Sequence, residues 1–191
     1  MFLPFSYPSQ MLNITAVQFD IVWEDPTANR ALLEPIIAEN GAADVIVLPE
    51  MFSTGFSINA EQVAEEQTGP TVSWMCKMAE QFDCAICGSV STKLESKYVN
   101  RFYWVDSNGV QHYDKKHLFG YGKESEVYSA GTDQLIVNYK GWKIMPLICY
   151  DLRFPVWSRN TMDYDLLIYV ANWPDARANA WRQLLLSLIH I

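Results

Sequence analysis

The sequence predicts an α/β fold on three observations. Short apolar, β-branched runs alternate with amphipathic stretches of helical length, Gly and Pro punctuate the joins, and no segment repeats another. Asn13 to Asp20 reads as the first strand. Asp25-Pro26 opens a helix that runs to about Asn40 and stops at Gly41, with proline at the start and glycine past the end. The run Asp44 to Leu48 is a strand that Pro49 halts, which leaves Glu50 on the loop beyond its end. Thr68-Gly69-Pro70-Thr71 starts a second helix whose Val72, Met75, Met78, Ala79 and Phe82 share one face, a core stripe. Strands follow at 84–91, 97–105 and 110–114, the last two joined by an Asp106-Ser107-Asn108-Gly109 turn. The loop from Leu118 to Gly131, rich in Gly and Glu, is too long for a simple connection and reads as functional. Two strands, 134–138 and 142–148, meet at Lys140-Gly141. A short helix from Pro155, a strand from Asp165 to Val170 and a helix from Asp175 complete the reading.

At 191 residues, half of them hydrophobic, the chain suits one domain with a sizeable core. Its formal net charge of −8 opposes nucleic acid and anionic membrane as partners. No run approaches a transmembrane span, and Met1 to Gln10 carries two prolines and no positive charge, unlike a secretory signal. The cysteines are Cys76, Cys84, Cys87 and Cys149. Cys84 and Cys87 have the spacing of a metal or redox motif, but no second pair supplies further ligands, so they read as packing residues within a strand. Free thiols fit a reducing cytoplasm.

Chemistry concentrates at three strand ends, where α/β folds assemble their sites. The apolar run before Cys149 breaks into Tyr150-Asp151-Leu152-Arg153, Glu50 follows its strand in the same way, and Lys115 lies just past a hairpin. Taken singly, a strand-end cysteine is more often a small buried apolar residue than a nucleophile, and a lone Glu or Lys is usually a solvated charge. Taken together they suit amide hydrolysis: a thiol to attack, a carboxylate to carry its proton, and a cation for the oxyanion.

The order Pro49-Glu50, then Lys115-Lys116-His117-Leu118-Phe119, then Leu147 to Pro155 resembles the nitrilase superfamily of carbon-nitrogen hydrolases. The likeness extends to A-V-Q-F near the start, L-P-E-M-F-S-T-G-F around Glu50, Y-S-A-G at 128–131 and A-N-W-P at 171–174, wording most similar to the omega-amidase branch. The resemblance implies a four-layer α-β-β-α sandwich and a triad of Glu50 as base, Lys115 as cation and Cys149 as nucleophile. It also implies a second glutamate, Glu124, and an oxyanion site made by Lys115 and the backbone N–H of Tyr150. It implies no cofactor, no metal, a small-molecule amide substrate, and a homodimer or higher homo-oligomer paired through the helices after Cys149 and after A-N-W-P. Residues 1–10 are then expected as an extension, 11–186 as a C-terminally incomplete hydrolase domain, and 187–191 as an unmatched tail.

Phe56 and Trp173 follow strand ends that should border the pocket, and pocket wall and core are equally good readings of each. Arg177 is the best-placed cation for a substrate carboxylate; an exposed helix-start arginine is the competing reading. His117 is expected to be a structural hydrogen-bonding residue, Asp151 and Arg153 to pair across the turn at Cys149, and Trp157 and Trp181 to pack. The favoured function is a thiol amidase of the omega-amidase kind. A nitrile or N-carbamoyl hydrolase with the same triad, an inactive scaffold, and a redox or metal module at Cys84 and Cys87 are the alternatives.

Overall fold

In the computed structural model, which describes residues 11–188, the chain opens with a β-α-β unit: β1 (Ile14–Ala16), α1 (Pro26–Glu39) and β2 (Val45–Val47). The two strands are parallel, paired from Ile14–Val45 to Ala16–Val47. Asp25 caps α1 by accepting the Ala28 N–H at 2.9 Å, and Pro26 takes the first turn, where its missing N–H costs nothing. β1 is shorter than the predicted run to Asp20 because β2 stops before Pro49 and offers nothing further to pair with. A short α2 (Ala60–Val63) and a two-residue β3 (Glu65–Glu66) precede α3 (Pro70–Phe82).

The chain then forms an antiparallel meander of β4 (Ala85–Leu94), β5 (Lys97–Asp106) and β6 (Gly109–Asp114). With β2 parallel to β4, the first sheet runs β1-β2-β4-β5-β6, and β3 lies beside β4. The predicted loop from Leu118 contains a 3₁₀ turn at Gly120–Gly122 and one helical turn, α4 (Glu124–Val127). A second sheet follows from β7 (Val137–Tyr139), β8 (Trp142–Ile148) and, after α5 (Pro155–Ser158), β9 (Leu166–Val170), in the order β7-β8-β9. Helix α6 (Ala178–Leu188) comes last.

Two apolar clusters set the layers. Leu33 and Ile37 of α1, with Val72, Met75 and Met78 of α3, pack on Ile46, Ile86 and Val90 of the first sheet. Each such fully buried side chain contributes about 1.5–3 kcal/mol. Between the sheets, Val45, Cys87, Phe102 and Trp104 meet Val137, Ile144, Ile148 and Val170. Along β9, Ile168 and Val170 face that inner layer, and Tyr169 on the opposite side meets Trp181 of α6 edge-on at 6.4 Å. The architecture is therefore α/β with two mixed sheets between helical layers.

Cys84 belongs to the helix-side cluster and Cys87 to the inter-sheet cluster, so the two thiols lie on opposite faces. No group of three His, Cys, Asp or Glu among the described residues could hold a metal ion. No helix among them is long and apolar enough to cross a membrane. The expected extension, Met1 to Gln10, lies outside the described residues; of the expected tail, Ser187 and Leu188 end α6 and 189–191 lie outside.

Gly88 lets the turn bearing Glu50 approach β4. A Cβ there would stand 2.9 Å from Leu48 Cβ and 2.9 Å from the Phe52 ring. Gly88→Ala is expected to cost about 1–3 kcal/mol by overpacking, read as a lower urea midpoint with an unchanged slope. An unchanged midpoint would mean that the turn yields freely.

Candidate active site

Four strand-end turns converge at one edge of the inter-sheet layer. The first carries Glu50. Past Pro49, Met51 turns left-handed at φ 46°, its N–H donates to Ser89 Oγ at 2.9 Å, and its carbonyl accepts the Gly55 N–H at 2.8 Å. The second carries Lys115, one residue beyond β6. Its N–H donates to the Asn100 carbonyl, and its own carbonyl accepts the Gly131 N–H, both at 2.9 Å. A Cβ on Gly131 would sit 2.2 Å from the Asp114 carbonyl oxygen, so only glycine brings the end of the Leu118–Gly131 segment onto Lys115. The third carries Cys149, directly after β8, at φ 46° and opening a 3₁₀ turn to Arg153. The fourth follows β9, where the Asn172 N–H donates to Glu50 Oε2 at 2.9 Å.

One buried carboxylate fastens the Lys115 and Cys149 turns together. Asp151 accepts the Ile148 N–H at 3.0 Å and the Tyr113 hydroxyl at 2.8 Å on Oδ2. Its Oδ1 accepts the His117 N–H at 2.9 Å and meets His117 Nδ1 at 2.8 Å. Asp151 is two residues past the thiol and His117 two residues past the ammonium, so their bond sets the spacing of both. The expected Asp151–Arg153 pair does not form. Asp151 turns inward to the Ile148 and His117 backbone and to the Tyr113 and His117 side chains, while the Arg153 guanidinium lies over the Trp173 ring at 5.6 Å, on the exposed side. His117 is structural, as expected, and its ring stacks on Phe154 at 3.7 Å.

At the centre, Lys115 Nζ donates to Glu50 Oε1 at 2.7 Å and to Glu124 at 2.9 and 3.1 Å. All three side chains are fully buried. Glu124 also accepts the Phe119 N–H at 2.6 Å, which closes the loop that the sequence left open. Asn100, which sequence reasoning missed, donates from Nδ2 to Glu50 Oε1 at 2.9 Å and to Glu124 Oε1 at 3.0 Å. The only signal for it was a polar residue in the middle of the buried stretch of a strand.

Burial by itself would pull Lys115 down, but Glu50 and then Glu124 outweigh it and hold the ammonium above its ordinary range. Burial raises Glu124, with Lys115 opposing and Glu50 reinforcing. The Cys149 thiol is pushed well above its usual value, first by burial and then by Glu50, and Lys115 only partly offsets this. A neighbouring ammonium would ordinarily lower a thiol, and here it does not prevail. The reason is that the ammonium already serves two carboxylates, so the thiol at rest carries its proton.

Cys149 opens onto a cavity of about 60 Å³ lined by Phe56, Phe119, Tyr150, Arg153, Asn172, Trp173, Pro174 and Arg177. The expected substrate residues Phe56, Trp173 and Arg177 are thus all on its wall. The Arg177 guanidinium lies over Phe119 at 4.9 Å. Neither Arg153 nor Arg177 pairs with a carboxylate among the described residues.

The family model for carbon-nitrogen hydrolases matches residues 13–189, and the chain belongs to that family. Within it the chain falls in the nitrilase superfamily's omega-amidase branch. It is 47% identical over 175 residues to "Omega-amidase YafV" of Escherichia coli K12, a match covering 91% of this chain and 68% of that protein. It is 36% identical over 181 residues to "2-oxoglutaramate amidase" of Bacillus subtilis 168, covering 91% and 70%. Among solved structures, the CN-hydrolase superfamily protein XC1258 from Xanthomonas campestris superposes with a TM-score of 0.90 at 43% identity, covering 93% of this chain and 71% of that one. The protein is a hydrolase of carbon-nitrogen bonds other than peptide bonds, an amidase of this family.

Removing the ammonium would leave two buried carboxylates with no counter-charge. Lys115→Met is expected to cost about 3–5 kcal/mol of stability, measured by chemical denaturation. A loss under about 1 kcal/mol would contradict a buried charge cluster.

Proposed function

We propose that the protein hydrolyses the terminal amide of a small dicarboxylic acid monoamide through a Cys149 thioester. The observation that supports this most is that a thiol acted on by a buried carboxylate–ammonium pair opens onto one small cavity walled by two guanidiniums, neither of which pairs with a carboxylate among the described residues. The cavity has room for about four waters, which suits a short acyl chain. The relatives named omega-amidase and 2-oxoglutaramate amidase support the same substrate class.

Because the thiol begins neutral, attack and deprotonation go together. Glu50, whose charge acts on the thiol, takes its proton as Sγ bonds the amide carbon and the carbonyl electron pair moves to oxygen. Lys115 and the backbone N–H of Tyr150 stabilise that oxyanion; losing one such donor typically costs about a hundred- to a thousandfold in rate. Glu50 then returns the proton to the amide nitrogen, the C–N bond breaks, and ammonia leaves. Water attacks the thioester, Glu50 takes its proton and restores it to Sγ, and the acid departs. Glu124 keeps Lys115 charged and fixed throughout. Phe56 and Trp173 hold the short chain, and Arg177 pairs with the free carboxylate.

We also propose assembly into a homodimer or higher homo-oligomer, which would cover Val156 of α5, 80% exposed, and Leu186 of α6, 56% exposed. The four free thiols suit a reducing cytoplasm.

Cys149→Ala should release no ammonia from succinamate while keeping the wild-type fold, and iodoacetamide should modify Cys149 before the buried Cys84 and Cys87. Normal turnover by the Ala variant would overturn the thioester route.

Arg177→Ala should raise KM for carboxylate-bearing amides by about ten- to a hundredfold and leave neutral amides nearly unaffected. Equal changes for both substrates would remove Arg177 from carboxylate recognition.

A further inference from the structure

Asn100 lies on β5 opposite Ser91 of β4, and its side chain is fully buried. Its two amide hydrogens go to the two oxygens that Lys115 already binds, Glu50 Oε1 and Glu124 Oε1. Lysine and asparagine thus bridge the same pair of carboxylates side by side. The amide oxygen, Oδ1, has no hydrogen-bond partner among the described residues. A buried amide leaves an acceptor unmet only under constraint. Here the reverse orientation would set Oδ1 against two carboxylate oxygens and discard two charge-assisted bonds. The backbone of Asn100 takes part as well, since its carbonyl receives the Lys115 N–H at 2.9 Å.

We propose that Asn100 is a positioning residue for the hydrolytic reaction: its amide holds Glu50 and Glu124 apart in their ionised, accepting state, so that Glu50 presents Oε2 toward the thiol. The inference rests on the reading of Cys149 as nucleophile and Glu50 as base. Two carboxylates within reach of one ammonium repel each other, and one Lys115 charge balances only one of them. Donated N–H bonds favour the charged form of an acceptor. The amide bond indeed acts to lower Glu124 against the burial that raises it. Because Oε1 of Glu50 is occupied by Lys115 and Asn100, the proton-carrying oxygen is left as Oε2, which accepts the Asn172 N–H at 2.9 Å.

The titratable groups around Asn100 come from every neighbouring turn. Glu50 follows β2, Lys115 follows β6, Glu124 is on α4 and Cys149 follows β8. Tyr128, after α4, bonds Ser91 Oγ at 2.9 Å and keeps its phenol neutral, raised by burial to about 12. Without the amide, the carboxylate pair would hold a proton to higher pH, and the base would be lost from the acid side.

The test uses Asn100→Asp and Asn100→Leu, which match the side chain in size and lack its two amide donors. Both should lower kcat on succinamate by about ten- to a hundredfold, with KM changed by less than about threefold. The acid limb of the kcat/KM profile should move up by about one pH unit. The pH profile of Cys149 alkylation by iodoacetamide, followed by mass spectrometry, should move in the same direction. A merely space-filling asparagine would move neither profile, and folded variants with the wild-type acid limb would overturn the proposal. If neither variant folds, Asn100→Ser, whose hydroxyl can serve one carboxylate only, decides in the same way: an upward shift supports the role and an unmoved limb overturns it. Alkylation needs no substrate, so failure to hydrolyse any amide would count against the proposed function while the alkylation profile still decides the role of Asn100.

Discussion

The rest of the structure depends on one buried ammonium. Lys115 sits between Glu50 and Glu124 with no solvent contact, and each of the three ions would cost several kcal/mol to bury alone. The arrangement is tenable because every carboxylate oxygen in it has a donor: Lys115 and Asn100 on the Oε1 atoms, Asn172 N–H on Glu50, and Phe119 N–H with Lys115 on Glu124. Those donors come from β5, from the ends of β6 and β9, and from the loop before α4. The requirement to satisfy three buried charges therefore fixes how two sheets and a long loop meet. It also explains why Gly88 and Gly131 are needed, since each removes a side chain where one of these turns must close in.

The thiol is held by a second, separate device. β8 is buried along most of its length and ends at a left-handed cysteine, a conformation that a non-glycine residue adopts only when its surroundings enforce it. Asp151 is the enforcement. Its four contacts tie the turn to Ile148 behind it and to Tyr113 and His117 beside Lys115. Thiol and ammonium thus keep their spacing through a carboxylate that belongs to neither.

Much of this was legible in the sequence because strand ends announce themselves. Pro49 stops a β-branched run before Glu50, and the apolar stretch to Ile148 breaks at Cys149, so both positions follow from periodicity. The pairing of Lys115 with them rests on the order of motifs, since nothing local distinguishes it from Lys116. What could not be read is what depends on distant partners. Asn100 looks like an ordinary strand residue until Glu50 and Glu124 arrive from positions 50 and 24 residues away. Asp151 has a charge-opposite neighbour in Arg153, which suggested a local pair, but three-dimensional packing supplied better donors. The one-turn helix α4 was hidden because its first residue, Glu124, bonds the Phe119 N–H rather than following any apolar period.

The raised thiol is the least intuitive of these results and follows from counting charges. Two carboxylates surround one ammonium, so the cluster has no positive charge left over with which to stabilise a standing thiolate. In the proposed mechanism that problem is avoided, because the charge moves outward onto the carbonyl oxygen as the bond to carbon forms. Reactivity would then be conditional on an electrophile in the cavity, in contrast to cysteines whose surroundings keep them ionised at rest. The same accounting gives the outer wall its meaning. Arg153 and Arg177 are stacked on Trp173 and Phe119, without carboxylate partners among the described residues. Positive charge is therefore spent on carboxylates beside the thiol and left unpaired at the cavity wall, which is where the proposed substrate carboxylate would need it.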